Sequence, residues 1–185
     1  MKNDGVVADT NMMKYYYDDV IHEENSFQKH LIDRICGSCG FVIDHQIEFE
    51  YISKIHTFGF RDWLGTKMWE GKIDIINERN ETKLSPRNKN YIHQNLGLPR
   101  NNSKDIHFIM CANHTTIKII LTNDIDFFDP RMKEASSITK DRIKNERQGQ
   151  LCHFLERELG IFVSLPVHCH STLCERGIIQ PISTE

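Results

Sequence analysis

Short apolar runs recur along this chain, and stretches with helical periodicity separate them. GVVA occupies 5–8, FVID is Phe41–Asp44, TIKIIL occupies 116–121 and IFVSLPV occupies 161–167. Between the first two, Phe27, Leu31 and Ile35 recur at the four-residue spacing of a helix face, and Ile47, Tyr51 and Ile55 do so after the second. A helix around 63–69 and a strand at Ile73–Ile76 fit the next segment. DIHFIMCANH reads as a helix with Ile106, Ile109 and Met110 facing a core, and 137–160 reads as one long amphipathic helix closed by Gly160. Strands that alternate with helices imply an α/β fold: a central, mainly parallel sheet flanked by helices. One domain over 1–168 is expected, followed by a C-terminal tail at 169–185 that is loose after Cys174.

With 185 residues the chain is long enough to bury a real core. No apolar run approaches the length of a membrane span, and the apolar part of the N-terminus is too short for a signal peptide. A cytoplasmic protein with no membrane partner is expected. The net charge of -3 excludes a protein that coats nucleic acid by charge alone. It leaves room for a nuclease, whose clustered acids lower the net charge.

Carboxylates stand at the ends of the apolar runs. Asp9 follows the first run, and Asp124 follows IIL and Thr122 in the stretch IILTNDIDFFDP. Glu50 lies in the helix after FVID, and Asp105 opens the helix after LPRNNSK. In a parallel α/β sheet, ligands bind outside the carboxyl ends of the strands. Like charges gathered there raise one another's pKa, so such a set makes sense with a cation to neutralise it. Oxygen ligands suit Mg²⁺ or Mn²⁺ rather than zinc. Singly, each acid has an ordinary reading: Asp9 and Asn11 as turn and helix cap, Glu50 as a solvated residue, Asp105 as a helix-start acid, TNDIDFFDP as a turn.

Taken in order, these segments resemble the PIN-domain nucleases. VVADTN is similar to that family's strand ending in D-T-N. VIDHQIEFEY resembles a D-x-x-I-x-x-E-Y variant that puts the second acid at Glu50, with Glu48 nearby. KDIHFIMCANH matches the helix opening with Asp, and LTNDIDFF the strand ending in T-N-D-x-D-F. The likeness spans about residues 5–165 and carries no motif between Ile55 and Pro99. It implies a PIN-like three-layer α/β/α domain and an endoribonuclease that hydrolyses phosphodiester bonds in single-stranded or structured RNA. Asp9, Glu50, Asp105 and Asp124 would hold one or two Mg²⁺ or Mn²⁺ ions, and Asp126 would be an outer or second-metal acid. Asn11 and Thr122 would orient carboxylates or waters; Asp129 is left to the turn before Pro130. A toxin or defence role, with an antitoxin or other protein partner or a homodimer, is in keeping with small proteins of this kind. DNA cleavage by a PIN-like nuclease and a non-catalytic PIN-like binding module remain the alternatives. A phosphatase of the haloacid dehalogenase type is disfavoured, because Asn11 stands where its D-x-D motif needs a second acid.

The remaining chemistry-bearing residues are less pointed. Cys36 and Cys39, with His168, Cys169, His170 and Cys174, have the makings of a zinc site. CGSCG is better explained as a helix-to-strand turn. Tyr15, Tyr16 and Tyr17 offer base stacking or core packing. Arg79, Lys83, Arg87, Lys89, Arg100 and Lys104, and Arg142, Lys144 and Arg147, offer backbone contacts or a solvated face. His107 and His114 are candidates for phosphate contact, with a surface position as the plainer reading.

Overall fold

The computed structural model describes residues 4–76, 84–100 and 105–182. Five strands are present among them: β1 (Val7–Ala8), β2 (Phe41–Asp44), β3 (Ile73–Ile76), β4 (Ile119–Leu121) and β5 (Phe162–Ser164). β4 lies between β1 and β5, and β2 pairs with β3. A bridge between Val6 and Phe41 joins the two groups, giving the spatial order β3-β2-β1-β4-β5. The pairings among the described residues are parallel. The central strands are apolar without alternation, and Val7, Ala8, Ile119, Ile120 and Leu121 are fully buried. That is the pattern of a parallel strand covered on both faces.

Helices flank this small sheet. α1 (Thr10–Ile21) and α2 (Phe27–Gly37) connect β1 to β2; α3 (His45–Lys54) and α4 (Phe60–Trp69) connect β2 to β3. α5 (Pro86–Gln94) and α6 (Asp105–His114) precede β4, and α6 packs on β1, β2 and β4. After β4 come the single turn α7 (Ile125–Phe128), α8 (Ser137–Glu146) and α9 (Gln150–Phe154), which runs on into a π-helical turn at Leu155–Leu159. α10 (Pro166–Glu175) follows β5. The chain moves from β1 outward to β3, then returns to lay β4 on the other side of β1. The carboxyl ends of β1 and β4 therefore meet at the point where the strand order reverses. Crevices open at such points.

Gly40 shows how sequence sets the turn into β2. Its φ is +73°, and a Cβ there would lie 2.7 Å from the Lys72 carbonyl oxygen, so CGSCG turns where only glycine fits. Gly65, inside α4, has nothing within 4 Å of a built Cβ. Gly65→Ala is expected to raise stability by about 0.5–1 kcal/mol, which a denaturant titration measures directly.

Three expectations are corrected. The helix read over 137–160 is broken: Arg147 takes a left-handed conformation (φ +53°) and Gly149 starts α9. Tertiary contacts of Arg147 hold this corner. Its guanidinium donates to the Val163 carbonyl at 3.2 Å and to Glu156 at 3.0 Å, and lies 3.4 Å from the Phe162 ring centroid. The segment after Cys174 is held rather than loose, because Ile179 is buried, and the 168/169 boundary falls inside α10, which begins at Pro166 and buries Cys169 and Leu173. Beyond it, Arg34 donates to the Gln180 carbonyl at 3.1 Å. The polar connector ends earlier than its composition suggests, since Ser85 caps α5 and Pro86 begins it. No helix among the described residues is long and apolar enough to cross a membrane.

Candidate functional site

Asp9 follows β1 directly and is the N-cap of α1. Its Oδ1 accepts the Met12 N–H at 2.7 Å, and its Oδ2 accepts a hydrogen bond from the Thr122 hydroxyl. Capping falls to Asp9, not to Asn11, which sits exposed in the first turn of α1. Thr122 directly follows β4, and its hydroxyl oxygen also accepts the Asp124 N–H at 2.9 Å. One buried hydroxyl thus ties the ends of the two central strands together. Asp124 caps α7 through the Asp126 N–H at 3.0 Å.

α3 brings in the third acid. The Tyr51 hydroxyl donates to the Ala8 carbonyl at 2.5 Å, fixing α3 against the end of β1. Its neighbour Glu50 accepts the Thr10 hydroxyl at 2.8 Å. Glu48 points elsewhere and pairs with His45 at 3.1 Å, which separates the two glutamates that the sequence left close. The fourth acid, Asp105, opens α6.

Asp9, Glu50, Asp105 and Asp124 all line one cleft of about 350 Å³, together with Thr10, Asn11, Lys14, Lys54, Phe108 and Phe127. Four separate segments supply the acids. Burial is the chief influence on Asp9 and pushes its pKa up to about 7. The Thr122 and Met12 hydrogen bonds pull the other way, and the charge of Asp124 adds to the rise. Asp126 does not line this cleft. Its Oδ2 accepts from Lys133 at 2.8 Å, while its buried Oδ1 has no hydrogen-bond partner among the described residues. That hydrogen bond holds the Lys133 ammonium above the usual lysine range, and the charges of Asp124 and Asp105 reinforce it. Asp129 organises the turn: it binds Arg131 through both oxygens and accepts the Gln150 N–H at 3.1 Å.

The donors fit a hard divalent cation, since they are carboxylates, and burial keeps one of them protonated to unusually high pH. They are not gathered for it as they stand. Among the described residues no three His, Cys, Asp or Glu side chains form a group that could hold one ion. This covers the cysteine set as well. Burial pushes Cys36 up to about 12 and Cys39 to about 11, and all six cysteines are free.

The other candidates divide. Tyr16 and Tyr17 belong to the core; Tyr15 is 48% exposed. His107 bonds the fully buried Asp44 at 2.8 Å. Burial works to raise the Asp44 pKa, but His107 and the Ile47 N–H more than offset it, and the carboxyl sits below its ordinary range. Arg87 and Lys89 are exposed on α5, and Arg100 donates to Asn90 at 3.4 Å. Arg79, Lys83 and Lys104 lie outside the described residues. Sequence reasoning missed Lys14, Lys54 and Lys133. For two of them a signal existed: Lys14 follows Thr10, and Lys54 follows Glu50, by the four residues that share a helix face.

Comparisons of the chain with protein-family models, curated proteins and solved structures return no match.

Proposed function

We propose that this protein is a metal-dependent endoribonuclease with a PIN-like α/β/α fold. The observation that carries the reading is the cleft: acids from four separate segments border it, at the edge where the strand order reverses. Asp9, Glu50, Asp105 and Asp124 are the residues that would hold Mg²⁺ or Mn²⁺. When bound, such an ion activates water and stabilises the leaving oxygen of a phosphodiester. Thr122 keeps the Asp9 carboxyl in place, and Thr10 does so for Glu50. Lys14 and Lys54, on the same cleft wall, supply positive charge for the phosphate that enters. Asp126, paired with Lys133, supports the rim. A toxin or defence setting with a protein partner belongs to the same proposal and rests on the family resemblance alone.

Purified protein is expected to cut single-stranded RNA internally with Mn²⁺ or Mg²⁺ and to stop with chelator. Asp124→Asn is expected to slow cutting by about a hundredfold or more, since loss of mere outer-shell partners of a metal already costs 10–100-fold. Undiminished cleavage by that variant would end the assignment. Preference for a DNA strand would move the substrate, not the chemistry. The second reading, a binding module without catalysis, draws on the lack of a ready three-ligand group among the described residues. Calorimetric titration separates the two, because a binding module has no reason to take up Mn²⁺ at the cleft.

A further inference from the structure

Asn11 and Asp124 border two hollows at once. On one side lies the acidic cleft; on the other is a hollow of about 300 Å³ that takes in Tyr15, Asn123, Lys140 and Lys144. Asn123 in turn borders a third cleft, of about 520 Å³, with Phe27, Pro166, Val167 and His168 among its walls. Neighbouring hollows share lining residues, and their character changes from acidic to basic to apolar. In the middle hollow Lys144 pairs with Asp141 at 3.1 Å, whereas Lys140 forms no ion pair among the described residues. The exposed ring of Tyr15 stands beside them.

The third cleft is walled mainly by apolar groups. His168 is among its walls, while its Nδ1 is shielded from solvent and has no hydrogen-bond partner among the described residues. Val167 is 61% exposed beside it. α10 starts here, and no side chain caps its first turn. A flat group with apolar faces suits apolar walls that open to solvent. A nucleobase is such a group, provided it is unpaired, because a paired base has neither its faces nor its edge to give.

The geometry points to a track for an unpaired nucleic-acid strand, in which the strand leaves the acidic cleft past Lys140 and seats a base in the apolar cleft at Phe27, Val167 and His168. This rests on the nucleolytic reading above, which makes the strand RNA. Lys140 meets the backbone charge that the acids would otherwise repel, and the apolar cleft selects single strands.

The test is fluorescence anisotropy with a labelled RNA 15-mer of mixed sequence, in Ca²⁺ and at fixed salt, with Lys140→Glu and Val167→Glu beside the wild type. Both positions lie outside the acid set, and Val167 is mostly exposed, so thermal melting and Mn²⁺ uptake are expected to match the wild type. Each variant is expected to bind about tenfold more weakly, the scale of one lost base contact at Val167 or one reversed backbone charge at Lys140. The same sequence annealed into a duplex is expected to bind at least as poorly. Unchanged affinity in both variants, or a duplex bound as tightly as the strand, overturns the track even where the wild type cuts RNA. Variant-sensitive binding without cleavage upholds the track and ends the nuclease reading. A DNA strand bound as well as RNA also upholds the track, while counting against RNA as the substrate.

Discussion

Asp9→Asn is expected to cut RNA at least about a hundredfold more slowly than the wild type, and yet to melt at a higher temperature when divalent cations are absent at pH 8. Both effects come from one buried carboxyl. Burial, assisted by the charge of Asp124, raises its pKa from 3.8 to about 7 even though Thr122 and Met12 both hydrogen-bond to it. The folded chain therefore holds this proton longer than the unfolded chain does. Stability falls as pH climbs from about 4 to about 7, and stays reduced above that. The full penalty is on the order of 4 kcal/mol. Asparagine removes the charge while keeping an oxygen for the Met12 N–H, and its amide can donate to the Thr122 hydroxyl. At about 2–4 °C per kcal/mol for a chain of this size, the variant gains about 8–16 °C at pH 8. The gain shrinks towards zero as pH falls to about 4. Mn²⁺ narrows the gap: it adds about 2.7 kcal/mol at a hundredfold excess over Kd, and about 4.1 kcal/mol at a thousandfold, to the form that binds it, which is the wild type. Melting curves at several pH values, with and without Mn²⁺, measure all of this. A wild type that melts above the variant at pH 8 without cations would mean that Asp9 already has a counter-charge, and the metal reading would lose its electrostatic ground.

The local elements were legible where local chemistry decides them. FVID and IDII are strands with the bounds their apolar runs suggest, and Ile47, Tyr51 and Ile55 all face the core. The four acids could be singled out because Asp9 and Asp124 follow strands, Asp105 opens a helix and Glu50 lies in the helix after β2, and the parallel topology then carries them to one edge. What the sequence hides is set by distant partners. Nothing in RIKNERQGQ announces that Arg147 will break the helix, because its carbonyl acceptor on Val163 and the Phe162 ring come from a later strand. Asp44 looks like a strand-end acid of the same kind as Asp9. It is diverted to a buried bond with His107, sixty-three residues away in the chain. Asp126 reads as part of the acid set by spacing, yet its position in the short α7 turns it towards Lys133. A single slip of helical phase decides whether an acid faces a cleft or a lysine, and spacing in a four-residue helix does not fix that phase.

Gly149→Ala is expected to destabilise the protein by about 3 kcal/mol, at the upper end of what overpacking costs. A Cβ at this position would stand 2.1 Å from the Phe128 carbonyl oxygen and 2.3 Å from its carbon. Those are backbone atoms, so no side-chain rotation relieves the overlap. The chain crosses there because Asp129 accepts the Gln150 N–H at 3.1 Å, docking the start of α9 against the end of α7. The methyl group must push these two apart. At about 2–4 °C per kcal/mol, melting falls by roughly 6–12 °C. Gly65→Ala, with the same added methyl group in open space, moves the other way and serves as the control. Function should follow the same route: α7 begins at the Asp124 cap, so a displaced α7 disturbs the acid it positions. Gly149→Ala is therefore expected to lose Mn²⁺ affinity as well as stability, even below its melting temperature. An unchanged Mn²⁺ isotherm with a lowered Tm would show that α7 moves without carrying Asp124. An unchanged Tm would show that the α7–α9 crossing is looser than a 2.1 Å approach allows.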